Sequence, residues 1–418
     1  MAVKSGYKQT EVGVIPDEWE PATIGEVATF SGGAQPSRST FKFAPTKGYV
    51  RLIQIRDYKT DEYASYIPET MARKRCTEDD IMIGRYGPPI FQILRGIEGA
   101  YNVALIKATP SHRVDREFFF YILCQEKLFE RIDSLSRRTS GQTGIEMPAL
   151  KTYGLALPPL PEQCVIAMAL SDVDALQRAL ERLIAKKRDL KQATMQQLLT
   201  GLTRLPGFLG QWEVKTLGEL FNFSGGYSAS RDQLSNEGHC YLHYGDIHGA
   251  KKTCIDTSVD YEDIPKLDIS LKQISLGSLL EDGDVVFVDA SEDDDGTSRH
   301  VVVVNKDRLP FIAGLHTIIA KSKTDELAHE YRRYCFQTAA IRKQFLFYAV
   351  GTKVSGISKS NIPKLTIPVP SVPEQTAIAA ILTDMDAELV ALEQRLAKTR
   401  TLKLGMMQEL LTGRARLL

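Results

Sequence analysis

The sequence predicts an α+β protein in which two mixed α/β domains alternate with two long helices. The helices are expected to pair as an antiparallel coiled coil, which gives the chain a pseudo-two-fold internal repeat. Three observations predict this fold: motifs recur once along the chain, two long stretches carry apolar residues at heptad spacing, and short extended runs punctuated by glycine fill the remainder. With 418 residues, 43% of them hydrophobic, the chain is long enough for at least two packed cores.

Motifs that recur along the chain define the repeat. Those near the start of each half lie 193 positions apart, and those near its end lie 212 positions apart. The globular part of the second half therefore carries insertions, whereas the helical part matches without a gap. Trp19, Ile24-Gly25-Glu26 and Phe30-Ser31-Gly32-Gly33 return as Trp212, Leu217-Gly218-Glu219 and Phe223-Ser224-Gly225-Gly226; Pro161-Glu162-Gln163, Asp174 and Leu198-Leu199-Thr200-Gly201 return as Pro373-Glu374-Gln375, Asp386 and Leu410-Leu411-Thr412-Gly413.

The two long stretches are predicted to be helices that pair with each other. A globular helix averages 11–12 residues, so helices of about 39 residues with one narrow apolar stripe need a partner. The first helix would carry the chain roughly 58 Å at about 1.5 Å per residue, and the second must run back to bury its stripe. Ordinary core helices of two separate domains remain the alternative. Leu190 and Leu198 continue the helical spacing of the first stretch. The predicted seam is Ile166, Leu170, Val173, Leu180 and Ile184 in the first helix, and Ile378, Leu382, Met385, Leu389, Leu392 and Leu396 in the second.

These assignments give the expected domain organisation. The globular domains comprise residues 1–157 and 204–369, and the helical spacers comprise residues 158–203 and 370–418. Gly201 and Gly413 stand where carboxy-terminal helix caps are expected. Within each domain a single helix is predicted, from Arg116 to about Leu135 in the first and from Leu327 to about Tyr348 in the second.

Composition restricts the function classes. The chain has 52 Lys+Arg and 52 Asp+Glu, so any DNA binding must rest on local basic patches rather than on net charge. The six cysteines fall singly, without a C-x-x-C pair, which argues against a zinc site or a disulfide framework. No leader and no apolar run of roughly 18 residues is present, so we expect a cytoplasmic protein without a membrane partner.

The repeated motifs resemble those of a known family. The alternation of a variable domain with a near-identical helix, the Pro-Glu-Gln entry, the Leu-Leu-Thr-Gly exit and the Trp, Gly-Glu and Ser-Gly-Gly signature are similar to specificity subunits of type I restriction-modification systems. The match covers essentially the whole chain, twice. The resemblance implies that each globular unit is a target-recognition domain that reads one half of a split, asymmetric double-stranded DNA target.

The resemblance also implies partners. The coiled coil would set the spacing of the half-sites and dock two methyltransferase subunits for adenine-N6 methylation or restriction, with restriction-translocase subunits outside them. S-adenosylmethionine, Mg²⁺ and ATP are expected on those partners, and no cofactor or metal is expected in this chain.

A glycine-, hydroxyl- and base-rich loop in each domain is the first candidate for DNA contact. Glycines let the backbone approach phosphates, hydroxyls and cations donate to them, and Arg or Gln can pair with base edges. A polar connection between helix and strand is the alternative. The shared Gly144-Ile145 and Gly356-Ile357 are surrounded by different side chains, as two half-site specificities require. The candidates are Arg137, Arg138, Ser140, Gln142 and Thr143 in the first loop, and Thr352, Lys353, Ser355, Ser358 and Lys359 in the second.

Further candidates lie elsewhere in the two domains. For each of them an ordinary turn, loop or packing role is the alternative interpretation. Arg85 and Tyr86 follow an apolar strand, and Asn102 precedes one, where its amide could pair with adenine. The others are Arg38 and Lys42, and their counterparts Ser230 and Arg231, in the loops after the Gly-Gly turns, and the basic-aromatic group His243, Tyr244, Lys251 and Lys252.

The rival function classes are an enzyme and a scaffold. An adenine methyltransferase should show an Asn/Asp-Pro-Pro-aromatic motif, and the nearest string, Gly87-Pro88-Pro89-Ile90, lacks both the acid or amide and the aromatic ring. No glycine-rich nucleotide loop is present, so a non-catalytic subunit is expected. The acidic run from Glu292 to Asp295 lacks the spacing of a calcium loop and is expected to be solvated. The alternative function is a non-catalytic coiled-coil scaffold with two ligand-binding domains.

Overall fold

The chain divides into two compact units in a computed structural model. Unit 1 comprises Met1–Glu181 and Gln394–Leu418, and unit 2 comprises Arg182–Glu393. Each unit therefore holds one globular domain and one half of each long helix. In the part of the chain that the structure describes, no helix is long and apolar enough to cross a bilayer. The described residues are 5–136, 144–249, 252–291, 299–349 and 355–417.

Short strands and helices build the domain of unit 1, as the glycine-punctuated runs predict. Its strands are β1 (Tyr7–Thr10), β2 (Gly13–Pro16), β3 (Glu20–Thr23), β4 (Ala28–Gly32), β5 (Tyr49–Ile53), β6 (Ser65–Pro68), β7 (Arg75–Cys76), β8 (Ile81–Gly84), β9 (Gln92–Leu94), β10 (Gly99–Tyr101), β11 (Leu105–Pro110) and β12 (Gly154–Leu157). Its helices are α1 (Ile24–Val27), α2 (Arg116–Leu123), α3 (Glu126–Ser136) and α4 (Met147–Lys151), and the first long helix is α5 (Leu160–Leu199).

Two four-stranded sheets form the body of this domain. Their strand orders are β4-β11-β8-β9 and β6-β5-β10-β7. Only the pair β5 and β10 is parallel among the described strands of these sheets. Strands β3 and β12 pair at the base of the domain, where the chain enters and leaves it. Apolar side chains of β8, such as Ile81 and Ile83, pack with Phe118 and Tyr121 of α2 in one buried core.

The domain of unit 2 is built in the same order. Its strands are β13 (Glu213–Thr216), β14 (Phe221–Gly225), β15 (Leu234–Ser235), β16 (His239–Leu242), β17 (Cys254–Asp256), β18 (Lys266–Leu267), β19 (Val285–Val288), β20 (Ala290–Ser291), β21 (His300–Val304), β22 (Phe311–Ala313), β23 (Thr317–Ser322), β24 (Ser355–Gly356) and β25 (Thr366–Val369). Its helices are α6 (Leu217–Leu220), α7 (Tyr244–Gly249), α8 (His329–Cys335) and α9 (Ala339–Tyr348), and the second long helix is α10 (Val372–Leu410).

The sheets of unit 2 repeat those of unit 1 with additions. Their orders are β14-β23-β19-β21-β17 and β15-β18-β16-β22, and the pair β16 and β22 is again parallel. Strands β13 and β25 pair at the base, as β3 and β12 do. The extra strand β17 lies in the stretch where the repeat offset grows, so the insertion widens one sheet and leaves the base unchanged.

The helix predicted inside each domain is two helices. In unit 1 the chain breaks between α2 and α3, and in unit 2 between α8 and α9. Thr338 begins α9 because its hydroxyl accepts from the backbone N–H of Ile341 at 3.3 Å. Neither break contains glycine or proline, so a continuous helix was the natural prediction and it was wrong.

Ion pairs show that the two long helices run antiparallel within each unit. In unit 1 Asp174 pairs with Lys403 at 2.6 Å and Glu181 with Arg400 at 2.6 Å, so the partner number falls as the first number rises. In unit 2 Lys187 pairs with Glu388 and Lys191 with Asp386, so the partner number falls again, and Arg188 pairs with Glu393. The pair Asp174–Lys403 and the pair Asp386–Lys191 are the same contact, made once in each unit.

The side chains of the predicted seam are buried or half-buried in the structure, whereas Leu190, at the same helical spacing, is not. Ile166, Leu170, Leu180, Ile184, Ile378, Leu382, Leu389 and Leu396 are buried, and Val173, Met385 and Leu392 are half-buried. Leu190 is 50% exposed. The heptad positions that follow Ile184 are Lys187 and Lys191, and both form ion pairs with the other long helix. Because these positions are charged, apolar spacing did not identify them.

Residues of three repeated motifs meet where the long helices join the domain of unit 1. Glu162 is 2% exposed, and its carboxylate accepts from Trp19 Nε1 at 3.0 Å and from Arg416 Nε at 2.9 Å. Gly413 has the left-handed φ of 71°, and a Cβ atom there would lie 3.2 Å from the Trp19 ring. Gln163 donates to the carbonyls of Arg113 and Pro158. Trp19, Glu162, Gln163 and Gly413 therefore have structural roles at this junction.

Unit 2 contains the same junction. Glu374 is 1% exposed and accepts from Trp212 Nε1 at 3.0 Å and from Arg204 Nη2 at 2.7 Å. Gly201, with φ of 71°, packs against the Trp212 ring, and Gln375 donates to two backbone carbonyls. The predicted glycine caps are thus confirmed. The junction also depends on an arginine that the motif search missed, although Arg204 and Arg416 are 212 positions apart.

Candidate nucleic-acid interface

Several strands of the unit 1 domain end or begin at one edge of a sheet. Gly84, the last residue of β8, lies opposite Leu105, the first of β11, and opposite Gln92, the first of β9. Gly33, which follows β4, donates its backbone N–H to Leu105 O at 3.0 Å. We call residues 33–34, 85–91 and 102–104 the loop edge of domain 1. The topology alone brings these separate loops together.

The equivalent edge of unit 2 is formed by the matching strands. Val288, the last residue of β19, lies opposite Thr317, the first of β23, and Phe287 lies opposite His300, the first of β21. Gly226, which follows β14, donates its N–H to Thr317 O at 3.3 Å. We call residues 226–227, 289–291 and 314–316 the loop edge of domain 2.

Arg85 and Tyr86 lie on the loop edge of domain 1. The guanidinium carbon of Arg85 lies 5.2 Å from the centre of the Tyr86 ring. A Cβ atom at Gly144 would lie 3.5 Å from Tyr86 Cε1, so the end of the first candidate loop lies against this ring. Among the described residues, Arg85 Nε is buried without a hydrogen-bond partner and the side chain has no carboxylate within ion-pair distance. The half-buried Arg85 guanidinium thus keeps an unmet hydrogen bond at Nε, which is costly for a buried donor.

The other domain 1 candidates are placed less favourably. Asn102 is on the loop edge but only 6% exposed, and its side-chain oxygen accepts from the N–H of Ala104 at 3.1 Å, which favours the turn role. Lys42 forms a bridge with Tyr66 at the outer strand of the second sheet, and its ammonium lies 4.5 Å from the Tyr49 ring centre. Arg38 is exposed in a short 3₁₀ turn, residues 38–40.

Arg231, His243 and Tyr244 meet beside the loop edge of domain 2. A Cβ atom at Gly245 would lie 2.6 Å from Arg231 Nη2 and 3.1 Å from His243 Nδ1, so the guanidinium packs on this glycine. Burial, with the nearby Arg231 charge, holds the pKa of His243 below its usual value. The centres of the His243 and Tyr244 rings are 4.5 Å apart. Arg231 and Tyr244 of this cluster are exposed.

The remaining described candidates of domain 2 have local partners or lie beyond the edge. Ser230 accepts and donates in the cap of a 3₁₀ turn, and Lys252 pairs with Asp260. The backbone of Ser355 belongs to β24, which pairs with β20 next to the loop edge. Ser358 shares a hydrogen bond of 2.8 Å with Ser360, and Lys359 is exposed. The segment after β24 is thus brought to the loop edge by strand pairing.

Sequence comparison decides the family of this two-fold arrangement. The profile described as "Type I restriction modification DNA specificity domain" matches the chain twice, over residues 16–191 and 210–399. The chain belongs to this specificity family. Each match covers one domain together with most of the long helix that follows it.

Relatives of this specificity subunit match it along nearly its whole length. The type I restriction enzyme MjaVIII specificity subunit of Methanocaldococcus jannaschii is 24% identical over 430 residues, which cover 96% of this chain and 94% of the relative. The putative type I restriction enzyme MjaX specificity subunit of the same organism is also 24% identical and covers 99% of this chain and 97% of its own.

Solved structures share the fold. The crystal structure of a type I restriction-modification S subunit from M. genitalium superposes with a TM-score of 0.57 at 15% identity, covering 98% of each chain. A chain from a structure of complex assembly in the type I R-M system superposes with a TM-score of 0.58 at 16% identity, covering 96% of this chain and 99% of that one. Both agree with the two-domain α+β architecture.

Several candidate residues of the specificity subunit fall outside the described part of the chain. They keep the status of sequence-based predictions. They are Arg137, Arg138, Ser140, Gln142, Thr143, Lys251, Thr352 and Lys353, together with the acidic run Glu292 to Asp295.

The structure adds two loop-edge residues that sequence reasoning did not select for DNA contact. Asp289 directly follows β19, and its Oδ1 lies 3.2 Å from His316 Nδ1. His316 precedes β23 and its ring lies edge-on to Tyr244, with 5.4 Å between centres. Asp284, in contrast, pairs with Lys321 at 2.7 Å as Asp80 pairs with Lys107, so this carboxylate has a structural partner in each domain. The signal for Asp289 was its position one residue after an apolar strand, as for Arg85.

Proposed function

We propose that this type I specificity subunit recognises a bipartite, asymmetric DNA target, with one half-site bound at the loop edge of each domain. The single observation that carries the proposal is a contrast between the two repeats. The junctions with the long helices are the same in both units, from Glu162 and Glu374 to the arginines that pair with them. The loop edges carry different side chains, Arg85 in one domain and Asp289 in the other.

The junction common to both units suits a constant spacing between the domains, and the differing loop edges suit two different half-sites. In our proposal the antiparallel helices set the spacing of the half-sites and provide equivalent docking surfaces for two methyltransferase subunits. The partners carry S-adenosylmethionine, Mg²⁺ and ATP, and adenine-N6 methylation or restriction takes place on them. The chain itself acts without catalysis, and restriction-translocase subunits join the assembly from outside.

DNA binding in the presence of the methyltransferase partner should be strongly dependent on salt. A protein that neutralises 6–10 phosphates loses about 10³- to 10⁵-fold in affinity between 50 and 200 mM salt. We therefore expect a loss of this order for a duplex that carries both half-sites, as identified by methylome sequencing. Fluorescence anisotropy measures it, with a duplex carrying one half-site as the matched control. Affinity that does not change with salt, or that is equal for both duplexes, would contradict bipartite DNA recognition.

A further inference from the structure

The two loop edges place opposite charges at one equivalent position. The N–H of Arg85 donates to Ala104 O at 2.8 Å, and the N–H of Asp289 donates to His316 O at 3.1 Å. Both residues directly follow the matching strands β8 and β19. Arg85 and Asp289 are therefore equivalent by hydrogen-bond register, although one is a donor-only cation and the other an acceptor-only anion.

His316 holds the Asp289 carboxylate at this position. Its backbone has the left-handed φ of 60°, which costs a non-glycine residue free energy and is concentrated at functional sites. This conformation accompanies the contact of its ring with Asp289 Oδ1, and Tyr244 packs on the ring. The Asp289 side chain is 33% exposed, so it remains accessible while its orientation is restrained.

A carboxylate on a DNA-binding edge is unfavourable unless it has a specific use. It repels phosphates, and the favourable contact open to it is with an exocyclic amino group, cytosine N4 or adenine N6, in the major groove. An arginine at the same place pairs with the O6 and N7 acceptors of guanine. The Ile357 N–H donates to the backbone carbonyl of Asp289 at 2.8 Å, so the described end of the second candidate loop is joined to this residue.

We infer that Arg85 and Asp289 are matched specificity-determining residues, Arg85 reading a guanine in the first half-site and Asp289 reading a base amino group in the second. His316 is a positioning residue for Asp289. This inference rests on the proposed function, because it assigns bases to the edges that bind the half-sites. It also explains how two domains with one scaffold distinguish unlike sequences.

The test is methylome sequencing of cells that carry the partner subunits and one variant of this chain. Asp289→Asn keeps the shape of the side chain but replaces one acceptor with a donor. We expect a loss of discrimination of about 5- to 100-fold at one base of the second half-site, with the first half-site unchanged. The base whose preference is lost, cytosine or adenine, shows which amino group Asp289 contacts. Arg85→Gln should weaken the preference for one guanine of the first half-site and leave the second half-site unchanged.

A matched control lies at the opposite end of the sheet. Asp307 is an exposed acid beyond the end of β21, so Asp307→Asn changes the same charge away from the loop edge and should leave the motif unchanged. His316→Ala should weaken the same base preference as Asp289→Asn does, whereas a purely structural histidine would reduce methylation at every site alike.

The outcomes separate the inference from the proposed function. If the wild-type motif is bipartite and Asp289→Asn and Arg85→Gln leave every base preference intact, the inference is wrong and the proposed function stands. If either variant alters both half-sites equally, the assignment of one residue to one half is wrong. A wild-type motif without two halves overturns the proposed function itself.

Discussion

Replacing Glu374 with alanine should lower the free energy of unfolding of unit 2 by about 3 kcal/mol. Removing one partner of a buried ion pair costs about 3–5 kcal/mol, and the lower end applies because the Arg204 side chain is 27% exposed. The substitution also leaves the Trp212 N–H without its acceptor. At about 2–4 °C per kcal/mol for a domain of this size, the corresponding thermal transition should fall by about 6–12 °C.

Differential scanning calorimetry on the full chain measures this shift. Glu162→Ala is the symmetrical variant and should destabilise unit 1 to a similar extent, because Trp19 and Arg416 lose the same partner. Glu393→Ala is the control, since it removes an exposed pair with Arg188 that contributes at most about 1 kcal/mol. Equal effects of the control and of Glu374→Ala would show that the junction does not hold the helices to the domain.

Shortening both long helices by one heptad should shorten the gap between the half-sites by roughly three base pairs. Seven residues correspond to about 10 Å of helix, and base pairs are spaced by about 3.4 Å. We would remove residues 181–187 and 394–400, which keeps the heptad phase of both helices. The pairs Asp174–Lys403, Lys191–Asp386 and Arg188–Glu393 are retained, and the pairs Glu181–Arg400 and Lys187–Glu388 are lost.

Methylome sequencing gives the new gap directly. The control is the triple variant Glu181→Gln, Lys187→Gln and Arg400→Gln, which removes the same two ion pairs at full helix length and should keep the original gap. A shortened variant that still methylates the original motif with an unchanged gap would show that the helices do not set the spacing.

Most of the fold could be predicted from the sequence because each half of the chain can be compared with the other. Trp19, Glu162 and Gly413 each recur, and each makes a junction contact that its copy also makes. The periodicity of apolar residues predicted the seam as far as Ile184. Beyond it the seam positions are Lys187 and Lys191, which are not apolar. A periodicity search for apolar side chains cannot distinguish a charged seam position from the end of the stripe.

The candidate site was less accessible to sequence reasoning. Arg85, Arg231 and Tyr244 were selected as basic or aromatic residues in loops; Arg85 lies on the loop edge of domain 1, and Arg231 and Tyr244 lie beside that of domain 2. Asp289 and His316 are 27 positions apart, and only the register of β19 against β23 brings them together. An acidic residue also contradicts the simple expectation of a basic DNA surface, so residue type alone pointed away from it.

The most direct measurement of the central claim is the methylome of a chain with two copies of domain 1. Residues 20–157 would replace residues 213–369, because β3 and β12 close the first domain as β13 and β25 close the second. The junction accepts the exchange, since Gln163 and Gln375 bind backbone atoms and Tyr121 and Tyr334 contact Asp174 and Asp386 alike. If each domain reads one half-site, the methylated motif becomes an inverted repeat of the first half-site. A motif that keeps the original second half would contradict the claim.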